Sequence, residues 1–139
     1  MEENMTRREI KLEKLKKEQE FINSIKEQKI DGKIKNKFRL TSVWKTFREF
    51  MQNKYKVDYL THRKLKKGWQ LHHKNLNPKV YTELNEKSFT CLNAQQHDVF
   101  HTIYSEYVKD PTYLDRLNDL IKEHYKLNDG KDVKDFIKD

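Results

Sequence analysis

Four histidines between residues 72 and 101 have the type and spacing that chemistry needs: the adjacent pair His72-His73, then His97 and His101 four residues apart. Neutral imidazole is both a ligand for divalent metals and a base near neutral pH. Positions i and i+4 of a helix lie on one face, one turn apart, so His97 and His101 can meet a shared ion. In a regular strand His72 and His73 point to opposite faces. The pair can serve one site only where the strand ends or twists, and Lys74-Asn75 follows it directly. One histidine would then bind metal while its neighbour faces the substrate. Zinc-like sites commonly combine such separated pairs of ligands. His62 and His124 have no partner in this pattern and read as incidental.

The surrounding sequence predicts the elements that would position these rings. Trp69 to His73 reads as a strand, Lys74 to Lys87 as a loop marked by Asn75, Asn77-Pro78 and Asn85, and Phe89 to Leu92 as a second strand. Asn93 is a good N-cap for a helix of roughly Ala94–Val108. Upstream, Thr6-Arg7-Arg8-Glu9 fits a capping box that opens a charged helix over residues 6–30. Its apolar stripe, Ile10, Leu15, Phe21, Ile22 and Ile25, is thin and broken. Asp31-Gly32 breaks that helix, and Lys33 to Arg39 reads as a basic connector. Thr41 caps a second helix, roughly Ser42–Tyr55, with Val43, Trp44, Phe47, Phe50 and Met51 as its core face and Lys45, Arg48 and Lys54 outside it. Val57 to Leu65 alternates loosely, is rich in β-formers at its start, Val57-Asp58-Tyr59-Leu60, and reads as a short strand or irregular extended segment. Asp110-Pro111 starts a last helix, whose apolar face holds Tyr113, Leu114, Leu117, Leu120, Ile121, His124 and Tyr125. Asn128-Asp129-Gly130 ends it. The expected fold class is α+β and mostly helical, a short two-stranded hairpin plus helix flanked by further helices.

At 139 residues, with 35% hydrophobic and 37% charged residues, the chain forms one domain with a lean core. Its 12% aromatic content argues against disorder. The net charge of +8 is unevenly placed: residues 26–80 hold sixteen Lys/Arg against four Asp/Glu, and residues 81–139 hold eight against twelve. A basic block beside the histidine pair is the footprint of a polyanion binder. Arg63, Lys64, Lys66, Lys67 and Lys74 flank the first strand and are the expected contacts to a DNA backbone, while Trp69 reads as core. Cys91 is the only cysteine, which excludes an internal disulfide and a Cys-rich zinc knuckle and leaves a buried apolar role. No apolar stretch approaches a membrane span, and the N-terminus lacks a secretory pattern, so a cytoplasmic protein without membrane contact is expected.

The stretch from about Tyr59 to Tyr104 resembles the HNH endonucleases, the ββα-metal or His-Me finger group, and is most similar to small free-standing versions found in bacteriophages. The residues that carry the likeness are Leu71-His72-His73, the Asn/Pro loop, Ser88-Phe89-Thr90-Cys91-Leu92-Asn93, and His97-Asp98-Val99-Phe100-His101. The resemblance implies a ββα-metal finger of about residues 69–107 inside a nuclease domain of residues 35–128. An N-terminal helical arm (1–34) and a charged tail (129–139) would complete the chain. It implies His73 as general base and His72, His97 and His101 as ligands of one divalent ion. All-imidazole ligation suits Zn, Ni, Co or Mn better than Mg. Ser88 stands where the family's middle Asn usually stands, with Asn93 and Asn85 near enough to support the site in its place. The activity implied is hydrolysis of double-stranded DNA to 5′-phosphate and 3′-hydroxyl ends. A double-strand break would need two encounters or a homodimer, for which the N-terminal helix is the expected surface. The alternative is a weakly active or inactive DNA-binding or protein-interaction module on the same scaffold.

Overall fold

The structure is a computed structural model describing residues 4–26 and 28–136. The chain divides into two compact units, Met1–His97 and Asp98–Asp139. Among the described residues it is an α+β protein with five helices and one two-stranded antiparallel sheet. The elements run α1 (Arg7–Ile25), α2 (Gly32–Arg39), α3 (Ser42–Tyr55), β1 (Gln70–His73), β2 (Phe89–Leu92), α4 (Ala94–Lys109) and α5 (Tyr113–Leu127). The division between units falls inside α4, which is one continuous helix. No helix among the described residues is long and apolar enough to cross a membrane.

In the first unit, three helices and the hairpin share one aromatic core. Phe38 is fully buried against Trp44 and Tyr81 and shares the core with Met51, Trp69 and Phe89. Thr6 caps α1 by accepting from Glu9 N at 3.2 Å. The end of α1 is anchored: Ile22 and Ile25 are buried in that core, and the Glu18 carboxylate accepts from Ser42 N at 2.9 Å and Ser42 Oγ at 3.2 Å. The C-terminal end of α1 is therefore tied to the core of the first unit.

Four expectations are corrected. Residues 33–39, expected as a connector, lie in α2. Asp31 Oδ1 caps that helix through Ile34 N at 2.9 Å, and Phe38 anchors it, while four basic side chains hide the short apolar face from a composition-based reading. The core stripe of α3 is narrower than its spacing suggests: Trp44 and Met51 are buried, whereas Val43 is 44% and Phe50 48% exposed. Arg48, placed on the wet side, donates to Trp69 O at 2.7 Å with its guanidinium 4.0 Å above the Trp69 ring. The last helix begins at Tyr113, because Asp110 spends its carboxylate on Thr112 N, Thr112 Oγ1 and Arg116.

Residues 57–60 form no named strand. Val57 makes an isolated bridge to Lys64, and the segment turns around Asp58. Asp58 is fully buried. Its Oδ1 accepts from Leu60 N (2.9 Å), Thr61 N (2.7 Å) and Thr61 Oγ1 (3.0 Å), and its Oδ2 accepts from Asn93 N (2.7 Å). Asn93 answers with its side chain, accepting from Lys66 N at 2.8 Å and donating to Lys64 O at 3.2 Å. The loop before β1 and the residue preceding α4 are thus joined in one knot. Burial raises the Asp58 pKa, but the hydrogen bonds from Thr61, Asn93 and Leu60 outweigh it and hold the carboxyl below its ordinary value.

Asp58→Asn should lower stability by about 2–4 kcal/mol at neutral pH, because buried N–H donors lose their charged acceptor. A depressed folded pKa means the contribution is present above the unfolded value of about 3.9 and fades as pH falls through the folded value. Urea melts at pH 7 and pH 3 should therefore show a wide gap between wild type and variant that narrows in acid.

Candidate metal centre

The antiparallel register sets Gln70 opposite Leu92, Leu71 opposite Cys91, His72 opposite Thr90 and His73 opposite Phe89. Side chains alternate along a strand, so His72 and His73 leave the hairpin on opposite faces. His72 is buried, with its ring centroid 5.3 Å from that of His97 and the planes at 68°. His97 lies in the first turns of α4, and its N–H donates to Asn93 O at 2.9 Å. His101 follows one turn later on the same helix. The ring nitrogens offered by His72, His97 and His101 all lie within 4.8 Å of one another, grading from buried through intermediate to exposed.

That set fits a divalent ion. An ion about 2.0–2.1 Å from each imidazole nitrogen separates them by about 3.4 Å in a tetrahedron. Each ring then has to close by less than about 1 Å, which a small change in side-chain torsion supplies. The gradient of exposure leaves the His101 side facing solvent.

His73 is not in that group. Its ring is half-buried and stacked between two aromatic faces, 4.5 Å from Tyr81 at 13° and 5.8 Å from Trp44 at 7°, with Phe89 tilted at 4.5 Å. Its Nε2 lies 3.3 Å from Tyr81 O. A carbonyl oxygen only accepts, so Nε2 carries the proton and Nδ1 keeps the lone pair in the neutral ring. Burial is the main influence that lowers the His73 pKa; the Tyr81 carbonyl opposes it, and Arg39 and Lys35 add to it. His73 is thereby a neutral, orientated imidazole at pH 7.

The supporting residues of the sequence reading serve the backbone. Ser88 ends a short 3-10 turn (Glu86–Ser88), and its carbonyl accepts from Lys74 N at 2.8 Å, extending the hairpin ladder past His73. Asn85 caps that turn through Lys87 N at 3.1 Å. Asn93, expected as the side-chain cap of α4, bridges Lys64 and Lys66 instead. Arg63, Lys64, Lys66, Lys67 and Lys74 are all exposed. The Asn93 bridge fixes the backbone beneath two of them, so the basic loop is held at the root of the His97 helix. Lys74 also joins Tyr55, Tyr59, His62, Lys87 and Thr90 around a pocket of about 440 Å³ beside β2.

Sequence reasoning missed Asp58 and Tyr81. An acidic residue inside a block of net charge +12 was a visible signal for Asp58. Nothing local distinguished Tyr81 from an ordinary loop residue. No family model, curated protein or solved structure matches this chain.

His97→Ala should weaken Zn or Ni binding by more than the ~10–100-fold that loss of an outer partner costs. Titration calorimetry or chelator competition reads this directly. Affinity should fall as pH drops, since imidazole binds a metal only when deprotonated. Long-range nitrogen–proton NMR should find His73 as the Nε2–H tautomer.

Proposed function

We propose that this chain is a metal-dependent endonuclease of the HNH, or ββα-metal finger, type that hydrolyses phosphodiester bonds of double-stranded DNA. One observation carries the proposal: three imidazoles from β1 and α4 converge to ion-binding distance in a strand–loop–strand–helix order. The basic block beside them supports a polyanionic substrate.

A phosphodiester resists water because its charge repels nucleophiles and its alkoxide leaves poorly. His72, His97 and His101 would hold a divalent ion, which would supply charge stabilisation to the reacting phosphodiester worth several kcal/mol. His73 is the proposed base. Its Nε2–H is committed to Tyr81 O, so Nδ1 is the atom that would take the proton from water, and base catalysis of this kind contributes about 10²–10⁴-fold. That role requires the ring, which leaves β1 on the face opposite His72 and stacks on Trp44 and Tyr81, to swing toward the ion. Arg63, Lys64, Lys66, Lys67 and Lys74 would neutralise backbone phosphates without reading sequence.

A second reading has its own observation. The aromatic stack around His73 is also what a structural histidine looks like, and it favours a DNA-binding module in which metal staples strand to helix. Supercoiled-plasmid assays with Mg, Mn, Ni, Co and Zn separate the two. The nuclease reading expects nicking with at least one ion, a loss of about 10²–10⁴-fold in His73→Ala with retained circular dichroism, and loss of the metal requirement's effect in His97→Ala. Salt-dependent DNA retention without nicking under any ion would establish the second reading instead.

A further inference from the structure

We infer that α5 is a self-association surface through which two copies of this chain pair antiparallel. The helix spans Tyr113–Leu127 and buries none of its residues. Leu114 is 41%, Leu120 52% and Ile121 57% exposed. An isolated helix of this length is marginal in water, so an apolar face of this kind calls for a cover.

The order of residues around that face selects the cover. Tyr113, Leu117, Leu120, His124 and Leu127 recur at alternating spacings of four and three, the seam of a two-helix pairing. Leu114 and Ile121 flank the seam on one side, and Arg116 and Glu123 flank it on the other. A two-fold axis across antiparallel helices brings like flank against like flank. The register that sets Leu117 against the second copy's Leu120 also sets Tyr113 against its His124 and Leu114 against its Ile121. In that same register Arg116 meets the Glu123 of the other copy, and the symmetry makes each of these contacts twice. Parallel pairing would instead set Arg116 against Ile121 and waste both charges. Arg116 already donates to Asp110 at 2.6 Å, but its side chain is 62% exposed and its planar fork has five donors, enough for both carboxylates.

Charge exchange in the full-length chain tests this, read by sedimentation velocity or light scattering over a concentration series. The wild type should form a concentration-dependent dimer. Ile121→Asp, which removes an apolar contact at an exposed position, should raise the dissociation constant at least 10-fold. Glu123→Arg and Arg116→Glu, each like-charged across the pairing, should do the same when alone. Mixed in equal amounts, those two variants should recover association to within a few-fold of wild type, because each then faces its opposite. Circular dichroism checks that helix content is kept. Glu123→Arg leaves the Asp110 pair untouched, so its effect cannot arise from that site. A wild type that stays monomeric, a mixture that associates no better than its components, or association lost in Leu15→Asp of α1 but kept in the α5 variants would overturn the inference.

Discussion

The buried carboxylate of Asp58 is the constraint on which the geometry of the histidine group rests. Taking a carboxylate out of water costs several kcal/mol, and it is tolerated only when its lone pairs are filled. Here four donors fill them, three from the turn that follows and one from the residue before α4. Hydrogen bonds to a charged group contribute about 1.5–3 kcal/mol each, enough to offset the burial. The outcome is mechanical. The start of α4 cannot shift without breaking the turn, and His97 lies one helical turn from that start. The basic loop shares the same fastening through the Asn93 side chain, so its lysines and the His97 ring have a common base.

The pleat of β1 makes a second division. A one-residue step separates His72, which faces His97, from His73, which enters the stack of Trp44, Tyr81 and Phe89. Neighbouring imidazoles of identical intrinsic chemistry therefore receive opposite surroundings. His72 belongs to a group whose members can share a cation. His73 is held neutral, with its tautomer set by a backbone carbonyl. A strand is well suited to produce such a contrast, because alternation costs nothing beyond ordinary extended geometry.

The elements around the site were legible because their signals are local. Both strands and α3 are marked by apolar spacing and flanking turn residues, and His97 with His101 needed only helical periodicity. The convergence of His72 on those two was legible as chemistry before it was visible as distance. Harder to read were features whose cause lies elsewhere in the chain. The Lys-rich segment 33–39 is helical because Phe38 finds a pocket made by other helices. Residues 57–60 fail to pair as a strand because Asp58 draws its neighbours around itself and reaches a residue 35 positions away. The seat of His73 depends on Tyr81 and Trp44, which approach from opposite directions in sequence. The register of a side chain within a strand is readable; what waits on the face it turns to is not.

Cys91 has a practical consequence. It is the only cysteine, it is 4% exposed in the core, and burial raises its thiol to about 11, with Arg48 opposing the shift. Thiolate, the reactive form, is therefore scarce at neutral pH, and the sulfur is shielded besides. The native protein should behave towards maleimides and mild oxidants as though it carried no sulfhydryl. A single engineered surface cysteine would then accept a fluorophore or spin label without competition, and distances could be measured on an otherwise unaltered background.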